Sequence, residues 1–232
     1  MKQIKLFLIL SLIVTSVTKA QELKEVPTPL SMMTLSVMED MYLAMELEPK
    51  TMMALMLQQP NEQAEELMFN SLDLIRTMIK DSTGIDIQPA EALEGKVKYS
   101  RIGLPLVSLK KAAKKSDFQQ YVKIDIAVSP FSGTTTQNTN AGDSPLGVEV
   151  GSSNYSASWR PEVFVLMKFA NAKGKGVKTI RGIYRHDEKV KVTSQDLVVA
   201  GWHIPMNQEA EVIPYYYFLE KAVEDLIRKI NK

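Results

Sequence analysis

Residues 121–128 read YVKIDIAV, and this strict alternation constrains the chain more than any other stretch. Val122, Ile124, Ile126 and Val128 fall on one side of an extended chain, and Tyr121, Lys123, Asp125 and Ala127 on the other, because side chains alternate along a strand. A helix would scatter the four β-branched residues around its circumference. The segment is therefore a strand with one buried face. Farther on, PEVFVLMKF is apolar at nearly every position, as a central strand would be. NAKGKG follows as an Asn- and Gly-rich turn, so VKTIRGIYR is expected to return antiparallel. KVKV suggests one more short edge strand.

Helical periodicity brackets these strands. Asn61 is a good N-cap for EQAEELMFNSLDLIRTMIKDSTG. Leu67, Leu74 and Met78 recur on one face there, with Phe69 and Ile75 beside it. Glu62, Glu65 and Glu66 come early, Arg76 and Lys80 late, in agreement with the helix dipole, and Gly84 is a C-terminal stop. At the other end, Leu219, Val223, Leu226 and Ile230 form one face of a terminal helix. SLKKAAKKSD predicts a short helix capped by Ser108, with Lys110, Lys111, Lys114 and Lys115 on one side. GIDIQP reads as a short strand over Ile85–Ile87. With YVKIDIAV it would make a parallel β-α-β unit of right-handed crossover. Residues 132–158 are rich in Ser, Thr, Asn and Gly with little apolar pattern, and a polar loop is expected.

The order of elements implies an α/β domain, a mixed sheet with helices packed on it, over residues 61–232. Residues 21–60 are expected to form a Met-rich helical extension ahead of it. Residues 1–20 carry the three regions of a cleaved secretory signal peptide. Lys2 and Lys5 are its positive start, Leu6 to Val17 its apolar run, and Thr18 and Ala20 the small residues before a cut at Gln21. The run is shorter than the ~20 residues that span a bilayer, and no later segment qualifies. The expected location is periplasmic or extracellular, in a Gram-negative bacterium.

The chain has no cysteine. Disulfides, thiolate metal sites, cysteine nucleophiles and lipoprotein anchoring are all excluded on that ground. Without residues 1–20 the chain keeps 25 basic and 27 acidic residues. Nothing in that balance suggests nucleic acid.

Eight of the twenty-six residues in 32–57, MMTLSVMEDMYLAMELEPKTMMALML, are methionine. Leu35, Met38, Tyr42 and Met45 follow helical spacing, which predicts an amphipathic helix of about four turns ended by Pro49. The stripe has three readings. The first is packing against the chain's own domain. The second is a surface for a partner or a second copy, carried by Met38, Met41, Tyr42 and Met45, since methionine adapts to many surfaces. The third is a Cu(I) site of thioethers from Met38, Met41, Met45, Met53 and Met56.

In layout, GIDIQP, LKKAAKKSDFQQYVKIDIAVSP and VFVLMKFANAKGKGVKTIRGIY resemble small α/β accessory domains of the bacterial envelope. These are found in curli-secretion lipoproteins and in activators of penicillin-binding proteins. The resemblance spans roughly residues 61–232, in architecture only. It implies a non-catalytic envelope module whose partner is another envelope protein or a second copy. The chain departs from those relatives in lacking a lipoprotein cysteine.

Other chemistry finds little support. AGDSPL holds the Gly-Asp-Ser block of one esterase family around Ser144, but it sits mid-chain and no Asp-x-x-His follows. His186 stands beside Asp187 and Glu188, where adjacent strand residues point to opposite faces. His203 lies in GWHIP as a loop histidine. No cofactor is expected. The expected function is a non-enzymatic exported envelope protein that binds a macromolecule or assists assembly. A periplasmic Cu(I)-binding protein is the alternative, and a hydrolase the third.

Overall fold

The computed structural model describes residues 30–37, 41–57, 59, 61–88, 109–114 and 118–232. These form six strands and four helices. Strand β1 is Leu30–Val37, followed by α1 (Pro49–Leu57), α2 (Glu62–Thr83) and α3 (Leu109–Ala113). Then come β2 (Gln120–Asp143), β3 (Glu149–Asn171), β4 (Gly176–Arg185), β5 (Val190–Val199), β6 (Trp202–Ala210) and α4 (Tyr215–Ile230).

All six strands belong to one sheet. Strand β1 runs parallel to β2, from Leu30 opposite Tyr121 to Val37 opposite Val128. Every other pairing is antiparallel. The centre is β3. Along one side it pairs with β2 over its whole length. Its other side is shared end to end: β4 takes Glu162–Ala170 and β5 takes Val150–Trp159. The sheet therefore has two halves.

One half is the body. Val122, Ile124, Ile126 and Val128 face α4 and α2 together with their cross-strand partners Phe169, Met167, Val165 and Val163, and all eight are buried. Helix α4 lies across β4 and β3 and presents Phe218, Leu219, Ala222, Val223, Leu226 and Ile230. Helix α2 packs on α4. Its caps are those its sequence predicts: Asn61 Oδ1 accepts from the Ala64 N–H at 2.9 Å, and Gly84 closes the helix at φ 75°. The outward face of the body carries the Asp125 carboxylate between Lys123 and Lys168, and buried Glu162 between Arg181 and Arg185.

The other half is a β-arm made of 132–143, 149–159, β5 and β6. Four expectations are corrected by this sheet. Residues 132–158 are the distal halves of β2 and β3, joined by a turn, and form no polar loop. Main-chain pairing holds these strands, so they need no apolar period. KVKV opens a ten-residue strand, β5, and GWHIP belongs to β6, the strand of His203. The parallel partner of YVKIDIAV is β1; Ile85 and Ile87 are buried but lie outside any strand.

The Met-rich stretch also differs. In place of a helix through Leu35 and Met45, the chain is a strand to Val37. Met38 lies outside the described residues. In a segment this rich in Met and Leu, periods of 2 and 3.6 both fit. The register puts Met33, Leu35 and Val37 opposite Ile124, Ile126 and Val128, so the edge of β2 decides. From Met41 the chain turns, with the Met45 N–H donating to the Met41 carbonyl at 3.1 Å. Pro49 opens α1 rather than ending a helix, a first-turn position that needs no N–H.

Candidate functional site: the β-arm

Cross-strand partners share a face of a sheet, so the register arranges the arm's side chains in rows. Thr136, Ser156, Thr193 and Glu209 make one row of four. Asn138, Asn154, Gln195 and Asn207 make the next, an unbroken line of amides. These eight side chains line a hollow of about 340 Å³. Moving toward the tip, the next row is Asn140, Ser152, Leu197 and Ile204, and the last is Gly142, Val150, Val199 and Trp202. One face thus grades from hydroxyl to amide to apolar. Its apolar end is open to solvent: Trp202 is 76 % exposed, and Val150, Leu197 and Ile204 are exposed too.

Two turns close the arm. At Ser144–Val148 the Ser144 N–H donates to the Val148 carbonyl at 2.8 Å. The Ser144 hydroxyl accepts from the N–H groups of Leu146 and Val148 at 3.3 and 3.4 Å, and Gly147 takes φ 71°. The Gly-Asp-Ser serine thus organises a hairpin tip, with Leu146 at its apex 89 % exposed. The second turn is Ala200–Gly201, with φ of 51° and 78°, the two left-handed residues that a tight hairpin of matching twist requires.

The opposite face is more enclosed. Ser153 is buried and takes hydrogen bonds with Thr139 and Gln137 at 3.1 and 3.3 Å. Asp196 lies between Ser194, whose hydroxyl donates to it at 2.5 Å, and His203, whose Nδ1 stands 3.5 Å away. A serine hydrolase needs the imidazole between carboxylate and hydroxyl. Here the carboxylate occupies the middle place.

The other residues singled out by sequence are dispersed. Met41 is fully buried in the body core, with Tyr42 and Met45 packed against it from partly buried positions. Met53 and Met56 point away from the core on α1, 55 and 69 % exposed. The five proposed thioether ligands are thus split between core and surface, with Met38 undescribed. His186 packs on the Phe218 ring at 4.7 Å and meets the Tyr184 hydroxyl at 3.2 Å. Burial raises the Tyr184 phenol above its ordinary value, and the nearby Tyr217 and Asp187 push the same way. Lys110, Lys111 and Lys114 are exposed at α3, and Lys115 lies outside the described residues. Among the described residues, no three His, Asp or Glu side chains gather as a metal site.

No protein-family model matches the chain, and no curated protein matches it. No helix among the described residues is long and apolar enough to cross a membrane.

The rows of the arm escaped sequence reading because they lack an apolar period. The available signal was the run Thr134–Thr136 within a stretch free of Pro from Phe131 to Ser144. β-branched Thr favours a pleated surface even where no face is buried.

Proposed function

We propose that this chain is a non-enzymatic protein exported to the cell envelope, where the β-arm docks another macromolecule. The observation that supports this most is the graded face of the arm. Charge is depleted there: of the sixteen residues in its four rows only Glu209 is ionisable. Interface centres are depleted of charge and enriched in aromatic side chains and methionine. Trp202 and Met206, both more than two-thirds exposed, supply the latter. An isolated apolar residue on a surface is ordinary, whereas a contiguous exposed patch rimmed by polar groups marks interaction. The partner in this reading is another envelope protein or a second copy of the chain. The signal-like residues 1–20 and the likeness in layout to envelope accessory domains support a location outside the cytoplasm.

The test is site-specific photo-cross-linking in cells. A photoreactive residue at Leu146 or Trp202 should yield adducts, and one at exposed Glu220 on α4 should not. Adducts from position 220 alone would overturn the docking role of the arm. N-terminal sequencing of the mature protein should begin at Gln21, and recovery of Met1 would overturn export.

A further inference from the structure

The arm has a free edge of unusual character. Strand β1 ends opposite Val128, so among the described residues no strand pairs with Ser132–Asp143 on the side away from β3. Such an edge offers a row of main-chain N–H and C=O groups to any extended chain, and proteins usually blunt it with charge, proline or a bulge. From Ser132 to Gly142 the sequence SGTTTQNTNAG contains none of the first two. The irregularity at Pro130 and Ser132 lies before this stretch, and the pairing beyond it is continuous.

The other edges are blunted. On β6 sit Pro205, which has no N–H, a register shift around Met206, and the charged Glu209. On β4 sit Lys178, Arg181 and Arg185, which would repel a second copy of themselves. Strand β1 lies in the body against α1 and α2.

We infer that Ser132–Gly142 pairs antiparallel with the same segment of a second copy, joining two arms into one continuous sheet. This rests on reading the arm as a docking element and names its partner. Three features favour self-pairing. Two-fold pairing of this edge sets no charge against a like charge. Thr, Asn and Gln each donate and accept, so they complement themselves at any opposed position. The interaction also closes. Pairing of β2 on one copy with β6 on the next would build an open fibre, but Pro205 and the neighbouring bulge oppose it, and an isologous dimer remains. With Ser132 opposite Gly142 of the second copy, Thr136 faces Asn138 across the two-fold axis, and the hydroxyl row of each arm continues into the amide row of the other.

Sedimentation of the full-length mature chain tests this. Wild type should be a dimer that dissociates on dilution. Thr136→Lys with Asn138→Lys places like charges across the axis, which opposes pairing. It should raise the dimer Kd by about a hundredfold and leave the thermal midpoint of the monomer unchanged. Thr136→Glu with Asn138→Glu should behave alike, and an equimolar mixture of the two variants should recover a heterodimer. A monomeric wild type at about 0.1 mM, or a Lys variant that dimerises as wild type does, overturns the inference. In either case arm cross-links to a different protein would leave the docking reading standing, while absence of any arm adduct would remove both.

Discussion

Gly182 of β4 lies directly beneath the Ala222 carbonyl of α4. A Cβ at position 182 would run into that oxygen and into the Leu226 backbone N–H and Cβ. The helix can lie this close to the sheet only because residue 182 has no side chain. Overpacking a filled interior costs about 1–3 kcal/mol, so Gly182→Ala should lower the urea midpoint by that amount. The loss should come with unchanged helix content by circular dichroism. A variant as stable as wild type would mean that α4 is not seated on β4 as described.

Ser71 and Tyr215 join α2 to α4 by a buried hydrogen bond of 2.8 Å, and Ser71 also donates to the Leu67 carbonyl. Burial holds the Tyr215 phenol above its ordinary pKa, and the bond to Ser71 opposes this only in part. The phenol stays protonated throughout the useful pH range. Ser71→Ala leaves that hydroxyl short of a partner, which costs about 1–3 kcal/mol. Adding Tyr215→Phe should cost less than the two single losses combined, since both ends of the bond are then gone. Strict additivity in a denaturation cycle would argue against the contact.

Asp225 clamps α4 to β4. It accepts from the Ile183 N–H at 3.0 Å and from Lys229 at 2.6 Å, with Arg228 at 3.2 Å. Burial alone would raise its pKa, but the hydrogen bonds from Lys229 and Ile183 and the two cationic neighbours outweigh it and hold the value below the ordinary carboxylate range. A carboxylate depressed in the folded state contributes stability at neutral pH, and that contribution is lost as pH falls through its folded pKa. Stability should therefore fall below about pH 4. Asp225→Asn should cost about 1–2 kcal/mol at pH 7 and flatten this acid limb. An acid limb identical to wild type would exclude Asp225 as its source.

Ala200 adopts φ 51° in the β5–β6 turn. A left-handed conformation costs an L residue roughly 1–2 kcal/mol, and glycine adopts it freely. Ala200→Gly should raise stability by about 0.5–1 kcal/mol, while Ala200→Val should lower it. A destabilised glycine variant would count against the turn.

Within the arm, β3 has a neighbour on each side along Val150–Trp159. Its amides there should exchange with solvent more slowly than those of β6, which pairs on one side. Proteolysis should fall at Ser144–Val148 rather than across the whole of 132–158. Early cleavage within Thr134–Thr139 would show that these strands do not persist in solution.

Much of the body was legible in advance. Asn61 and Gly84 bound α2, the 219–230 stripe faces inward on α4, and NAKGKG turns β3 into β4, because each rests on local chemistry within one or two turns of chain. What failed to read shares a cause. Leu35 and Met38 fit a helical stripe as well as Met33, Leu35 and Val37 fit a strand, and only the vacant side of β2 separates the two. The methionines divided in a similar way: Met41 went to the core, Met53 and Met56 to the surface, and their spacing alone carried no depth.

The sequence by itself determined that YVKIDIAV and the 219–230 helix each bury one face, where the helix between Asn61 and Gly84 starts and stops, and the absence of any thiol chemistry. Periodicity, capping and composition are local, and they act before any distant contact forms. Tertiary structure alone decided that β4 and β5 share one side of β3, that β1 adds in parallel, and that Thr, Ser, Asn and Gln from four distant segments line up as rows. Those outcomes depend on which main-chain edges remain open once the core has closed. The distal half of β2, exposed at every residue from Ser132 to Asp143, is held by that pairing, which leaves no apolar period in the sequence to announce it.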